Sequence, residues 1–62
     1  MTEFEYKFIN LIKDKKITKK RVAECLGITQ PTLKARLNDP KTFKLYEIET
    51  LKQELKINLL EL

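Results

Sequence analysis

The 62-residue sequence predicts an all-α fold, a compact bundle of four to five helices, on three observations. Strong breakers are few: one glycine, Gly27, and two prolines, Pro31 and Pro40. Apolar residues recur at helical spacing between them. The β-branched residues are scattered and never alternate over a useful length, so no strand is expected. Residues 1–62 read as a single domain, without repeats, low-complexity tracts or a flexible linker.

Each helix has its own start signal. Over 2–14, Phe4, Phe8, Leu11 and Ile12 form one stripe, and Thr2 with Glu5 has the spacing of a capping box. Asp14, Lys15 and Lys16 form the loop that ends it. At Ile17-Thr18 the threonine caps a helix over 18–26 while Ile17 staples to Val22. The same arrangement at Ile28-Thr29 pairs Ile28 with Leu33 and starts a helix over 29–38. Phe43 and Ile48 fit a staple for a helix over 44–55, although Lys44 is a poor capping residue. Ile57-Asn58 repeats the signature, with Ile57 facing Leu62, before a short turn in which Asn58 and Glu61 form a second capping box.

Composition excludes several classes of function. A core this small has little stability in reserve. One cysteine, Cys25, and no histidine rule out an internal disulfide and argue against a zinc site. No cofactor or small-molecule ligand is expected. No apolar run approaches the ~20 residues of a membrane span, so no membrane partner is expected. Acidic Glu3 and Glu5 at the start do not read as a secretory signal, and a free thiol suggests the reducing cytoplasm. Catalysis is not expected either: there is no His or Ser, and Cys25 lacks a partner base beside the core positions of its helix. The carboxylates are expected on exposed helix faces, without pairing.

The net charge of +4 conceals an asymmetry. From Lys13 to Lys44 ten Lys or Arg stand against Asp14, Glu24 and Asp39, a local charge of +7, while both flanks are slightly acidic. On charge alone this block is either a solvated basic face or a footprint for a polyanion.

Residues 18–38 read TKKRVAECLGITQPTLKARLN. Two helices joined so tightly at Leu26-Gly27-Ile28 cannot lie side by side and must cross steeply. Gly27 stands where the first must end, at a position whose positive φ is cheap only for glycine. Ala23, one turn earlier, keeps the approach of the two helices close. Val22, Leu26, Ile28, Leu33 and Leu37 supply the apolar seam.

This stretch resembles the helix-turn-helix of the phage repressor and Cro class, also called the xenobiotic-response-element family. Counted from Lys19, the class places alanine fifth, glycine ninth, and aliphatic residues tenth and fifteenth; the matching residues are Ala23, Gly27, Ile28 and Leu33. The resemblance continues through helix four to the Asn-Leu-Leu-Glu ending. It implies a lambda-repressor-like DNA-binding fold, nearest to small all-helical Cro-like proteins, with the helix-turn-helix unit at 18–38. Two residues depart from the pattern. The first position is often a glutamine that touches a phosphate, and Lys19 replaces it as a point charge. The eighteenth is usually apolar but is Arg36, so Leu37 is expected to pack while Arg36 lays its stem along the surface.

The resemblance implies a sequence-specific regulator of transcription, a repressor on a palindromic operator, bound through the major groove of double-stranded DNA. By position, Gln30, Pro31, Thr32 and Ala35 would face base edges. Gln30 has the geometry for adenine N6/N7, Pro31 and Ala35 suit a thymine methyl, and Thr32 suits either. Lys34 would reach guanine O6/N7 or a phosphate. Pro31 also suits the first turn of a helix and Ala35 suits any helix, which are alternative reasons for both. Phosphates would be held by Lys19 and Lys20 at the amino end of helix two, and by Lys41 and Lys44 at the start of helix four, with Arg36 and Asn38 assisting. Lys13, Lys15 and Lys16 serve either as contacts or as long-range steering charge.

The competing reading is a protein-interaction module on the same scaffold, antirepressor or antitoxin-like. Such a face would carry aromatic anchors, whereas Thr29–Asn38 offers Gln, Thr, Lys and Arg. A homodimer on DNA is expected from the resemblance. Leu59, Leu60, Leu62 and Tyr46 would either pair across its two-fold axis or close the core. The expected location is the cytoplasm of a bacterial or phage-infected cell, in association with the nucleoid.

Overall fold

Threonine hydroxyls start three of the four α-helices in the computed structural model, which describes residues 2–62. Thr2, Thr18 and Thr29 have extended backbone and precede α1 (Glu3–Asp14), α2 (Lys19–Leu26) and α3 (Gln30–Asn38). Each hydroxyl accepts from the N–H three residues on, at 3.1 Å from Glu5, 3.1 Å from Arg21 and 3.2 Å from Thr32. The cap thus satisfies one of the donors that a helix start leaves open. A 3₁₀ turn (Pro40–Thr42), α4 (Leu45–Glu54) and a final 3₁₀ turn (Leu59–Glu61) complete the chain. The described residues contain no strand.

The connections repeat a three-residue pattern that extends the sequence signature. A left-handed residue is followed by isoleucine and then by a capping residue: Lys16-Ile17-Thr18, Gly27-Ile28-Thr29 and Lys56-Ile57-Asn58, with φ of 58°, 69° and 59° at the first position. After α2 the Gly27 N–H donates to Glu24 O and the Ile28 N–H to Ala23 O, a paired closure of the helix end. After α1 the Lys16 and Ile17 N–H groups close on Lys13 O and Ile12 O in the same way. The two lysines thus adopt a conformation that glycine tolerates far better.

Both expected capping boxes are corrected. Thr2 caps α1, but the Glu5 side chain does not return to the Thr2 N–H; it is buried. Asn58 accepts from the Leu60 N–H, while its amide donates to Glu61 Oε1 at 3.0 Å, so that link joins side chain to side chain. Helix α4 instead has the half-box not anticipated: Glu47 Oε1 accepts from the Lys44 N–H at 2.9 Å, which compensates for the poor cap. The 3₁₀ turn at Pro40–Thr42 was also unanticipated. Pro40 fixes its first φ, and the Thr42 N–H and hydroxyl both donate to Asp39 O.

Phe8 and Ile12 of α1, Val22, Ala23 and Leu26 of α2, Leu33 and Leu37 of α3, and Leu51 of α4 meet in one core with Phe43, Ile57 and Leu59. Ile17 and Ile28 pack against its edge, as does Phe4, whose ring lies tilted 6.4 Å from that of Phe43. Leu59 is therefore a core residue and Leu62 is partly buried against the core, whereas Leu60 is 80% exposed. Helix α3 rests on α1 and α2, and α2 rests on α4. No helix among the described residues is long and apolar enough to cross a membrane.

The left-handed positions make a stability prediction. Gly27→Ala should destabilise the domain by about 1 kcal/mol although its new Cβ would meet nothing within 4 Å, and Lys56→Gly should stabilise it by up to about 1 kcal/mol. Urea unfolding followed by circular dichroism measures both changes.

Candidate nucleic-acid interface

The nine residues of α3 place Leu33 and Leu37 in the core and leave Gln30, Pro31, Lys34, Ala35 and Asn38 exposed, with Thr32 partly so. Fully burying two leucines supplies on the order of 3–6 kcal/mol, a modest hold for a helix that must keep one orientation. Three polar ties add to it. Two come from the start of α1, and one from α4 together with the 3₁₀ turn before it.

The first tie is at the carboxyl end of α3. Thr2 Oγ1 donates to Leu37 O at 3.2 Å while accepting from the Glu5 N–H, so a single hydroxyl caps α1 and satisfies one of the last open carbonyls of α3.

The second tie is Glu5. Its position in the stripe with Phe8 and Ile12, three and seven residues on, turns it inward, and it is wholly buried. Glu5 Oε2 accepts from Lys34 Nζ at 3.4 Å and lies 3.9 Å from Lys19 Nζ. One carboxylate from α1 therefore sets the middle of α3 beside the amino end of α2.

The third is Glu47, also wholly buried. Its Oε1 accepts from the Lys44 N–H and lies 3.2 Å from Arg36 Nε, an ion-pair distance without hydrogen-bond alignment. Arg36 Nη1 also donates to Thr42 O at 3.3 Å. Leu37 packs as the sequence implies, but the Arg36 side chain is only 17% exposed and enters the α3–α4 junction instead of lying along the surface.

The expectation of unpaired, exposed carboxylates is thereby overturned for these two residues. Burying a carboxylate costs several kcal/mol unless a cation and hydrogen bonds answer it. Each carboxylate keeps one oxygen, Glu5 Oε1 and Glu47 Oε2, without a hydrogen-bond partner among the described residues, so each depends on its cation.

The remaining cations stand around this frame. Lys19 is partly exposed at the first position of α2, and Lys20 is exposed beside it. Lys44 is exposed immediately before α4. Lys41 is largely exposed on the 3₁₀ turn, and its 4.0 Å pair with Asp39 is a solvated contact of little energetic weight. At the amino end of α3 the Thr29 hydroxyl donates to Thr32 Oγ1 at 2.9 Å, which orients the Thr32 side chain. Glu5 and Glu47 were missed by sequence reasoning. Their signal was position: each shares a helical face with core residues, Glu5 with Phe8 and Ile12, Glu47 with Leu51.

A family model described as the Cro/C1-type HTH DNA-binding domain matches residues 7–62. Neither the curated proteins nor the solved structures give a match.

The Glu47 tie carries its own prediction. Arg36→Met leaves the Glu47 carboxylate buried without its cation and should lower stability by about 3 kcal/mol. Adding Glu47→Gln, which removes the charge but keeps an acceptor for the Lys44 N–H, should restore most of it. A double-mutant cycle from urea unfolding gives the coupling, and additive losses would refute the pairing.

Proposed function

This chain belongs to the Cro/C1-type helix-turn-helix DNA-binding domain family, and on that footing we propose that it is a sequence-specific regulator of transcription, a Cro-like repressor that holds a palindromic operator through the major groove. The observation that supports this best is the outward face of α3. It is built from small or polar residues, and a cation stands at each flank on a buried carboxylate. A helix with so small an outward centre enters a groove about 12 Å wide without obstruction.

Gln30 pairs bidentately with adenine N6/N7. Pro31 and Ala35 lie against thymine methyl groups, and Thr32, oriented by Thr29, donates its hydroxyl hydrogen to a base acceptor. Lys19 and Lys20 grip phosphates on one side of the groove, where the open N–H groups of α2 add to the attraction. Lys41 and Lys44 grip the other side, with Asn38 beside them. Arg36 is the weakest phosphate ligand of the set, because Glu47 and the Thr42 carbonyl already hold two of its nitrogens.

A two-fold operator calls for a second copy of the chain, with half-sites about one helical turn apart. Tyr46 and Leu60, 56% and 80% exposed, are the residues we assign to that contact; Leu59 and Leu62 are taken up by the core. The working location is the nucleoid in the cytoplasm.

Selection from a random duplex pool tests the reading, and it should return a palindromic motif. On the selected duplex, Gln30→Ala should cost about 1–3 kcal/mol and relax one base position per half-site. Lys19→Gln should weaken binding to every sequence and lower the slope of log K against log salt by about one. Identical, sequence-independent effects of both substitutions would refute the base-reading role of Gln30.

A further inference from the structure

We infer that Glu5 is a positioning residue that makes Lys34 a reader of guanine and not a phosphate ligand, an inference that rests on the DNA-binding reading above. Glu5 is wholly buried on α1 and cannot touch DNA itself. The Lys34 side chain is 64% exposed on α3, yet its ammonium donates inward to Glu5 Oε2 at 3.4 Å. Glu5 Oε1 has no hydrogen-bond partner among the described residues, so the carboxylate relies on the lysines that reach Oε2. Drawing Lys34 Nζ away to a phosphate would leave the buried carboxylate without a hydrogen bond and with Lys19 alone at 3.9 Å.

The consequence follows from what a lysine ammonium carries. It has three N–H donors and one charge. Glu5 takes one donor and cancels the charge at a distance, which leaves two donors in a fixed place outside the helix. A neutralised pair displaces no counterion, so it adds nothing to the salt-dependent attraction for phosphate. Two held donors remain suited to guanine, whose O6 and N7 acceptors lie side by side in the major groove.

Lys19 differs although it shares the same oxygen. At 3.9 Å its ammonium is beyond hydrogen-bond reach, and one carboxylate cannot neutralise both lysines. Lys19 therefore keeps its charge and serves a phosphate. Glu5 thus divides two adjacent lysines between the two kinds of contact.

The test compares the wild-type protein with Lys34→Met and Glu5→Gln, by selection from a random duplex pool and by salt titration on the wild-type duplex. The wild-type motif should contain a guanine in each half-site that both variants select at least about fivefold less strongly, the other positions being retained. Combining the two substitutions removes the neutral pair as a unit and should leave the salt slope unchanged, whereas Glu5→Gln alone should steepen it by about 0.9 as Lys34 regains its charge. An intact motif in Lys34→Met, with a shallower slope when Glu5→Gln is added to it, would make Lys34 a phosphate ligand and overturn the inference. Retention of the guanine by a folded Glu5→Gln protein would overturn it equally. If Glu5→Gln melts at the assay temperature, Lys34→Met decides between the two roles by whether the guanine is lost or retained. A wild-type protein that selects no motif would sink the DNA-binding reading itself and this inference with it.

Discussion

Glu5 on α1 and Glu47 on α4 are both shut away from water, and each is answered by a cation on α3 that stands between them. In an apolar interior neither charge is stable alone, so each carboxylate holds its partner about as firmly as the partner holds it. Helix α3 gives the core only Leu33 and Leu37 and spans nine residues, too short to be stable by itself. Leu33 and Leu37 close-pack one face of α3 against the core, and an ion pair on each flank adds to what resists its rotation. The two carboxylates therefore reinforce the roll of α3 that its leucines set, and with it the residues that face outward.

The same two groups also fix distances across the domain. Glu5 joins α3 to Lys19 at the start of α2, and Glu47 joins α3 to the backbone of Lys44 at the start of α4. Those two helix starts are the places assigned to phosphates in the proposed function, and α3 is the helix assigned to the bases. The elements so assigned are thus connected through buried charge in a domain whose apolar core is small. A frame of this kind lets a short chain hold several contacts in one register without a disulfide or a metal.

Much of this was legible in the sequence because it depends on local rules. The threonine caps, the positive φ at Gly27 and the inward leucines of α3 follow from short-range hydrogen bonding, glycine's missing Cβ and helical spacing, and the boundaries agree to within a residue or two. The buried glutamates were not legible because residue type and helical position point opposite ways at Glu5 and Glu47. Glu is ordinarily exposed, and its partners Lys19, Lys34 and Arg36 lie far along the chain. Lys16 and Lys56 escaped notice in the left-handed region because glycine is the usual signal for it. Leu59 and Leu60 could not be told apart as core and surface until the 3₁₀ turn fixed which of the two points inward.

The most direct test of the whole account is the change in backbone amide resonances as a selected operator duplex is added. The largest shifts are expected at Gln30 to Ala35, Lys19, Lys20 and the start of α4, with the core amides of α3 still protected from exchange. Unmoved Gln30 to Ala35 amides, with the shifts confined to residues away from α3 and the starts of α2 and α4, would contradict the account.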